Sequence, residues 1–228
     1  MTSPPNNAPL RSTPARVVIV EDFPVVRDGL VQLLGADPGL RVVDAVGDER
    51  SARASLQQHA PDLLLLDLML NGNNALTLIA DLTHERPQLK ILVLSMLNEA
   101  VYAERALRAG ALGYVMKTAD TAEVLQAVSS VLDGRVYLSP KIFVSVFRGL
   151  LHRTPLREVP GAAGLSDREL QVFQLIGSGA PNRQIALQLG ISVKTVETHR
   201  EHLKTKLSLE NSEELVRAAE LFINSLAS

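Results

Sequence analysis

Five short, mostly apolar runs, each followed by a longer stretch with helical spacing, occupy the first 138 residues and leave few architectures open. The runs are Val17–Val20, Leu40–Val46, Leu63–Leu66, Leu89–Leu94 and Leu112–Met116. After them come Pro24–Leu34, Glu49–Gln58, Ala75–Thr83, Glu99–Ala109 and Thr121–Leu132, where apolar residues recur three and four apart, as in Val26, Leu30, Leu33 and Leu34. Runs without polar alternation suit strands buried on both faces, whereas the 3.6-residue period suits helices that bury one face. With right-handed crossovers, the pattern predicts a doubly wound α/β domain over residues 16–138: a five-stranded parallel sheet of flavodoxin-like type.

The pattern then changes. Residues 139–163 open with a short helix from Pro140 to Leu150, then carry Pro155, Pro160 and Gly161, and read as a linker. Residues 164–228 are helical throughout and form a second, all-α domain. Residues 1–15, rich in Pro, Asn and Ser, read as a disordered arm with no signal-peptide core. No apolar run approaches the roughly 18 residues of a membrane span. The chain has no Cys, which removes disulfides and thiol chemistry. These features predict a cytoplasmic protein with no membrane contact.

Polar residues stand where the apolar runs stop. Glu21-Asp22 follow the first, Asp67 the third, Ser95 the fourth and Lys117 the fifth. In open α/β sheets, ligands bind beyond the carboxyl ends of the strands, so these five side chains share one edge. Three carboxylates, a hydroxyl and an ammonium suit phosphoryl transfer to a carboxylate nucleophile. Charge repulsion there calls for a hard cation with oxygen ligands, and Mg2+ fits. Lysine and hydroxyl would then hold phosphoryl oxygens.

The net charge of −2 does not mark a nucleic-acid binder, but Lys194, Arg200, Lys204 and Lys206 cluster near the C-terminus. Ser166 and Glu169 form a capping box, Asn182 caps a helix through Leu189, and Gly190-Ile191-Ser192 makes a tight turn. Ser192 caps the next helix, Val193–Leu207, and Asn211 with Glu214 forms a second box. On a helical wheel Val193, Val196, Leu203 and Leu207 share the core face of Val193–Leu207. Lys194, Glu197, Thr198, Glu201 and Thr205 lie opposite, flanked by Thr195, His199, Arg200, Lys204 and Lys206. In the last helix Leu215, Ala218, Ala219 and Phe222 form an apolar stripe that offers a self-association surface.

The segments IVEDFPVVRDGL, PDLLLLDLML, ILVLSM and AGALGYVMK resemble the receiver of two-component response regulators. LSDRELQVFQLIGSGAPNRQIALQLGISVKTVETHREHLKTKL resembles the LuxR-type helix-turn-helix of the NarL/FixJ response regulators. Together the resemblances span about residues 16–223. They imply a DNA-binding transcriptional regulator of a phosphorelay, not an enzyme, with Asp67 as phosphoacceptor. They imply Glu21, Asp22, Asp67 and the Met69 backbone carbonyl as Mg2+ ligands. Ser95 becomes the switch hydroxyl, Lys117 the phosphate-pairing lysine and Tyr114 the switch aromatic, which turns inward on phosphorylation. By the same resemblance Glu197, Thr198 and Glu201 would face bases, and Lys194, Thr195, His199 and Lys206 would hold DNA phosphates. The implied partners are promoter DNA, a sensor histidine kinase, RNA polymerase and, when phosphorylated, a second copy of the chain. The linker would let the unphosphorylated receiver cover the output domain.

Several positions depart from the family pattern. Glu21 stands where Asp is more usual, and Leu70-Asn71-Gly72 replaces Met-Pro-Gly, so the loop lacks its proline. Asn74-Ala75 replaces Asp-Gly, and Met96 replaces a small residue beside Ser95, where it would narrow access to Asp67. Three rival readings fare worse. An aspartyl-phosphate phosphatase has an acid two residues after its nucleophile, where this chain has Met69. A flavin module wants aromatic stacking loops, and there is no Trp. A receiver that needs no phosphate would have a broken acidic pocket.

Overall fold

The computed structural model describes residues 13–140, 142–143 and 164–227. The chain divides into two compact units, the first running to Ser139 apart from residues 72–74 and 100–104, the second built on Pro140–Ser228. Most of the expected N-terminal arm, and most of the expected linker with its helix to Leu150, lie outside the described residues.

In the first unit five strands, β1 (Ala15–Val20), β2 (Leu40–Val46), β3 (Leu63–Leu66), β6 (Lys90–Ser95) and β7 (Gly113–Met116), form one sheet in the order β2-β1-β3-β6-β7. Every pairing is parallel. β1 starts at Ala15, the last residue assigned to the arm. Five helices alternate with these strands: α1 (Pro24–Gly35), α2 (Glu49–His59), α3 (Leu76–Glu85), α4 (Glu99–Ala109) and α5 (Thr121–Leu132). Val17, Ile19, Leu63, Leu65, Leu92, Leu94 and Val115 pack with Leu30 and Leu34 of α1 and with Val124, Val128 and Val131 of α5. The alternate residues Val18, Val20, Leu64, Leu66, Ile91 and Val93 are also buried, which explains the unbroken apolar runs. Each fully buried Leu or Val contributes roughly 1.5–3 kcal/mol relative to exposure.

Strand register levels the functional edge. Val20 is opposite Leu66 and Leu66 opposite Val93, so Glu21 and Asp67 leave the sheet side by side. Ser95 is opposite Met116, which puts Lys117 one step past β7 next to Ser95. After Asp67 the chain makes a two-residue hairpin, β4 (Met69–Leu70) with β5 (Asn73–Asn74), absent from the sequence reading. At its tip Asn71 and Gly72 both have positive φ, 51° and 79°. That pair of values suits a tight turn whose strongest sequence signal is Asn-Gly.

The second unit holds α6 (Asp167–Gly177), α7 (Asn182–Leu189), α8 (Val193–Leu207) and α9 (Ser212–Ala227). The Ser166–Glu169 capping box is complete, and Ser192 caps α8 by accepting the Thr195 N–H. Asn182 does not cap α7: Pro181 holds that position and Asn182 is the first helical residue. The second box is displaced by one residue. Asn211 accepts the Glu214 N–H, but the Glu214 carboxylate reaches the N–H of Glu210. Val196, Leu203 and Leu207 are core as expected, whereas Val193 is 40% exposed because the first turn of α8 runs past the core. Leu215, Ala219 and Phe222 are buried in their own domain, with the Phe222 ring 5.4 Å from that of Phe173 on α6. The stripe expected to support self-association is therefore largely the inner face of α9.

Candidate functional site

Four of the five strands deliver the pocket: β1 leads into Glu21 and Asp22, β3 into Asp67, β6 ends on Ser95 and β7 leads into Lys117. The Glu21 N–H bonds the Val46 carbonyl and the Asp67 N–H bonds the Val20 carbonyl, continuing the ladders one residue past the strands. The side chains thus leave the sheet at fixed positions. Glu21, Asp67 and Ser95 are buried, and ligand oxygens of Glu21, Asp22 and Asp67 lie within 4.8 Å of one another. The Lys117 ammonium sits between two of these carboxylates, 2.7 Å from Asp67 Oδ2 and 2.5 Å from Glu21 Oε2. Asp67 Oδ1 accepts the Met69 N–H at 3.1 Å.

Burial pushes the Asp67 and Glu21 carboxyls above the usual carboxylate range, against the pull of Lys117. Burial also pulls the Lys117 ammonium down, but its bonds to Asp67 and Glu21 outweigh that and hold it above its ordinary value. Three carboxylates against one ammonium leave the pocket short of positive charge. Asp22 fits the same conclusion: its Oδ2 accepts the Asn71 N–H at 2.9 Å, while its buried Oδ1 has no hydrogen-bond partner. An oxygen-rich set with an orphaned carboxylate oxygen suits a hard divalent cation such as Mg2+.

Ser95 Oγ accepts the Leu97 N–H at 3.3 Å, which leaves its own hydrogen to donate. Tyr114 is fully buried and donates from its hydroxyl to the Leu97 carbonyl at 2.8 Å. The ring thus sits in the inward placement that the resemblance implies for the phosphorylated switch. Met96 is 63% exposed. Phe23, which no sequence pattern marks, is also exposed, and its ring centroid lies 5.8 Å from the Lys117 ammonium.

In the second unit α7 closes on Gly190, whose left-handed backbone turns the chain into α8. Lys194, Glu197, Thr198 and Glu201 are exposed along the outer face of α8, and Thr195 and His199 are half-buried at its flank. Some of these groups already have local partners. Thr195 Oγ1 shares a hydrogen bond with Ser192 Oγ, and Thr198 donates to the Lys194 carbonyl. Burial, aided by the nearby Arg168 charge, holds the His199 imidazole below its ordinary pKa, so it is mostly neutral at pH 7. Lys206 pairs with Glu169 of α6 at 2.7 Å, a partner that its position on the wheel does not reveal.

Fold and pocket define a receiver joined to a helix-turn-helix. Residues 17–129 match the model of the response regulator receiver domain, and residues 163–219 that of the luxR family of bacterial regulatory proteins. The chain belongs to the two-component response regulators that carry a luxR-type DNA-binding domain. It is similar to the oxygen regulatory protein NreC of Staphylococcus carnosus, with 36% identity over 90% of this chain and 96% of that one. NreC of Staphylococcus epidermidis is 34% identical over the same shares. Among solved structures, a LuxR-family response regulator from Aurantimonas is 32% identical over 61% of this chain and 99% of its own, with a TM-score of 0.56. RcsB of Salmonella enterica serovar Typhimurium, bound to a promoter in the presence of a phosphomimetic, shares the fold at 23% identity and a TM-score of 0.58, covering 91% of this chain and 98% of its own. Among the described residues no helix is long and apolar enough to cross a membrane.

Proposed function

We propose that a sensor histidine kinase phosphorylates Asp67 and that this controls promoter binding by α8. The observation that carries the reading is the Lys117 ammonium seated between Asp67 and Glu21, with the Asp22 carboxylate beside them. A carboxylate oxygen of Asp67 attacks the phosphorus of a phosphohistidine. The P–N bond breaks, its electron pair leaves with the imidazole nitrogen, and an acyl phosphate forms. Mg2+ held by Glu21, Asp22, Asp67 and the Met69 backbone carbonyl would offset the repulsion between the carboxylates and the incoming phosphoryl group. Lys117 exchanges part of its carboxylate contact for a phosphoryl oxygen, and the Ser95 hydroxyl donates to another.

The signal leaves the pocket through Leu97. Ser95 holds the N–H of that residue and Tyr114 holds its carbonyl. A shift of Ser95 toward the phosphoryl group is therefore felt at Tyr114 through one residue. On α8, the exposed Glu197, Thr198 and Glu201 suit base edges, since a carboxylate can accept from cytosine N4. Lys194, Thr195 and His199 suit DNA phosphates, with His199 acting as a neutral N–H donor. Two half-sites read by a dimer would supply specificity that one short helix lacks. Such a dimer would form through a surface other than the inner face of α9.

The test is adduct formation with a small phosphodonor and Mg2+, followed by DNA titration. Wild type should gain an acid-stable, base-labile phosphate and bind its promoter more tightly, and Asp67→Asn should do neither. Equal incorporation in the two proteins would overturn the assignment.

A further inference from the structure

Asn71 occupies the position where the sequence departs from the usual loop proline, and the geometry there is one that proline cannot adopt. Its φ is 51°, whereas a proline ring fixes φ near −65°. Its N–H donates to Asp22 Oδ2 at 2.9 Å, and proline has no N–H. Its side-chain amide reaches the Gly47 carbonyl at 3.3 Å, tying the hairpin to the loop after β2. The other Asp22 oxygen, Oδ1, is buried and without a hydrogen-bond partner.

We infer that Asn71 is a positioning residue for Asp22, its backbone N–H holding one carboxylate oxygen so that the other is directed at the divalent cation. Asp22 follows Glu21 past the end of β1, so strand pairing does not fix its carboxylate. Fixing one oxygen by a charge-assisted bond removes that freedom before the cation arrives. Asn suits the task because it tolerates the left-handed backbone and still supplies the donor. The loss of the loop proline is thereby offset by a direct bond to the metal pocket.

This inference rests on the reading of the pocket as a Mg2+ site, and the experiment separates the two. Mg2+ alone is titrated calorimetrically into the unphosphorylated full chain of wild type, Asn71→Gly and Asn71→Pro. Asn71→Gly keeps both the N–H and the positive φ, so it should stay within about threefold of wild type. Asn71→Pro removes the donor and should weaken Mg2+ by about tenfold or more. A wild type that binds no Mg2+ would overturn the metal reading itself. A wild type that binds, with Asn71→Pro binding equally well, would overturn only the role of Asn71. Because proline also reshapes the hairpin, amide hydrogen exchange gives a second readout without altering the loop. The exposed Asn71 N–H should be protected in metal-free wild type and lose that protection in Asp22→Ala. Equal exchange in those two proteins would overturn the inference.

Discussion

Lys206 and Glu169 form an ion pair of 2.7 Å that ties the last turn of α8 to the first turn of α6. The Glu169 carboxylate is buried, and the same oxygen accepts from both the N–H and the hydroxyl of Ser166. Against the upward push of burial, the bond from Lys206 and then those from Ser166 hold its carboxyl below the usual range. Lys206 thus ties α8 to α6 and is already paired with a carboxylate of its own domain.

A cation that is neutralised before DNA arrives releases no counterion when it binds. Lys206→Met should therefore lower affinity for all sequences yet leave the slope of log affinity against log salt unchanged. Lys194→Met should flatten that slope by about 0.9, the value for one phosphate contact. DNA titrations across salt concentrations measure both. If the two variants flatten the slope alike, Lys206 is a phosphate contact, as its place on the helical wheel suggests.

The pocket carboxylates predict a pH-dependent response to Mg2+. Burial raises the Glu21 and Asp67 pKa values above their ordinary 4.5 and 3.8, so in metal-free protein the folded state binds these protons more tightly than the unfolded chain does. Their stabilising contribution is fully present below the unfolded values and is lost as pH rises through the raised ones. Mg2+ competes with the same protons, so its effect grows over that window. The rise in Tm on replacing chelator with Mg2+ should be near zero at about pH 4 and should grow steadily toward pH 7. A rise that is constant across this range would contradict the assignment of Glu21 and Asp67 as the ligands.

The receiver edge is readable because a strand buried on both faces announces its own end: the apolar run stops and the next polar residue stands at the edge of the sheet. Asp67, Ser95 and Lys117 follow this rule, and parallel register then brings them together. Other features depend on partners distant in sequence. The periodicity of α9 identifies Leu215, Ala219 and Phe222 as one stripe without saying whether the stripe faces its own domain or a second copy. Lys206 finds its carboxylate 37 residues away, on another helix. The Asn71-Gly72 pair is a recognisable hairpin signal, yet its bond to Asp22 spans 49 residues and depends on how two loops meet. A wheel also treats every turn of a helix alike, and Val193 shows that the first turn can overshoot the core.

The packing that removes the α9 stripe from the surface has a single-residue test. Gly177 ends α6, and a Cβ built there would lie 2.3 Å from the Ala219 carbonyl oxygen and 2.7 Å from Ile223 Cγ1. Backbone cannot yield as a flexible side chain can, so Gly177→Ala must push α6 and α9 apart and loosen the Phe173–Phe222 contact. Overpacking of this kind costs about 1–3 kcal/mol, which exceeds the gain of up to about 1 kcal/mol from the better helix propensity of Ala. Denaturant unfolding followed by a probe in the second unit should show that net loss. Phosphorylation of Asp67 should proceed as in wild type, because the pocket is built wholly from the first unit. A Gly177→Ala protein as stable as wild type would mean that α6 and α9 are not in this close contact, and the α9 stripe would again be free to serve a second copy of the chain.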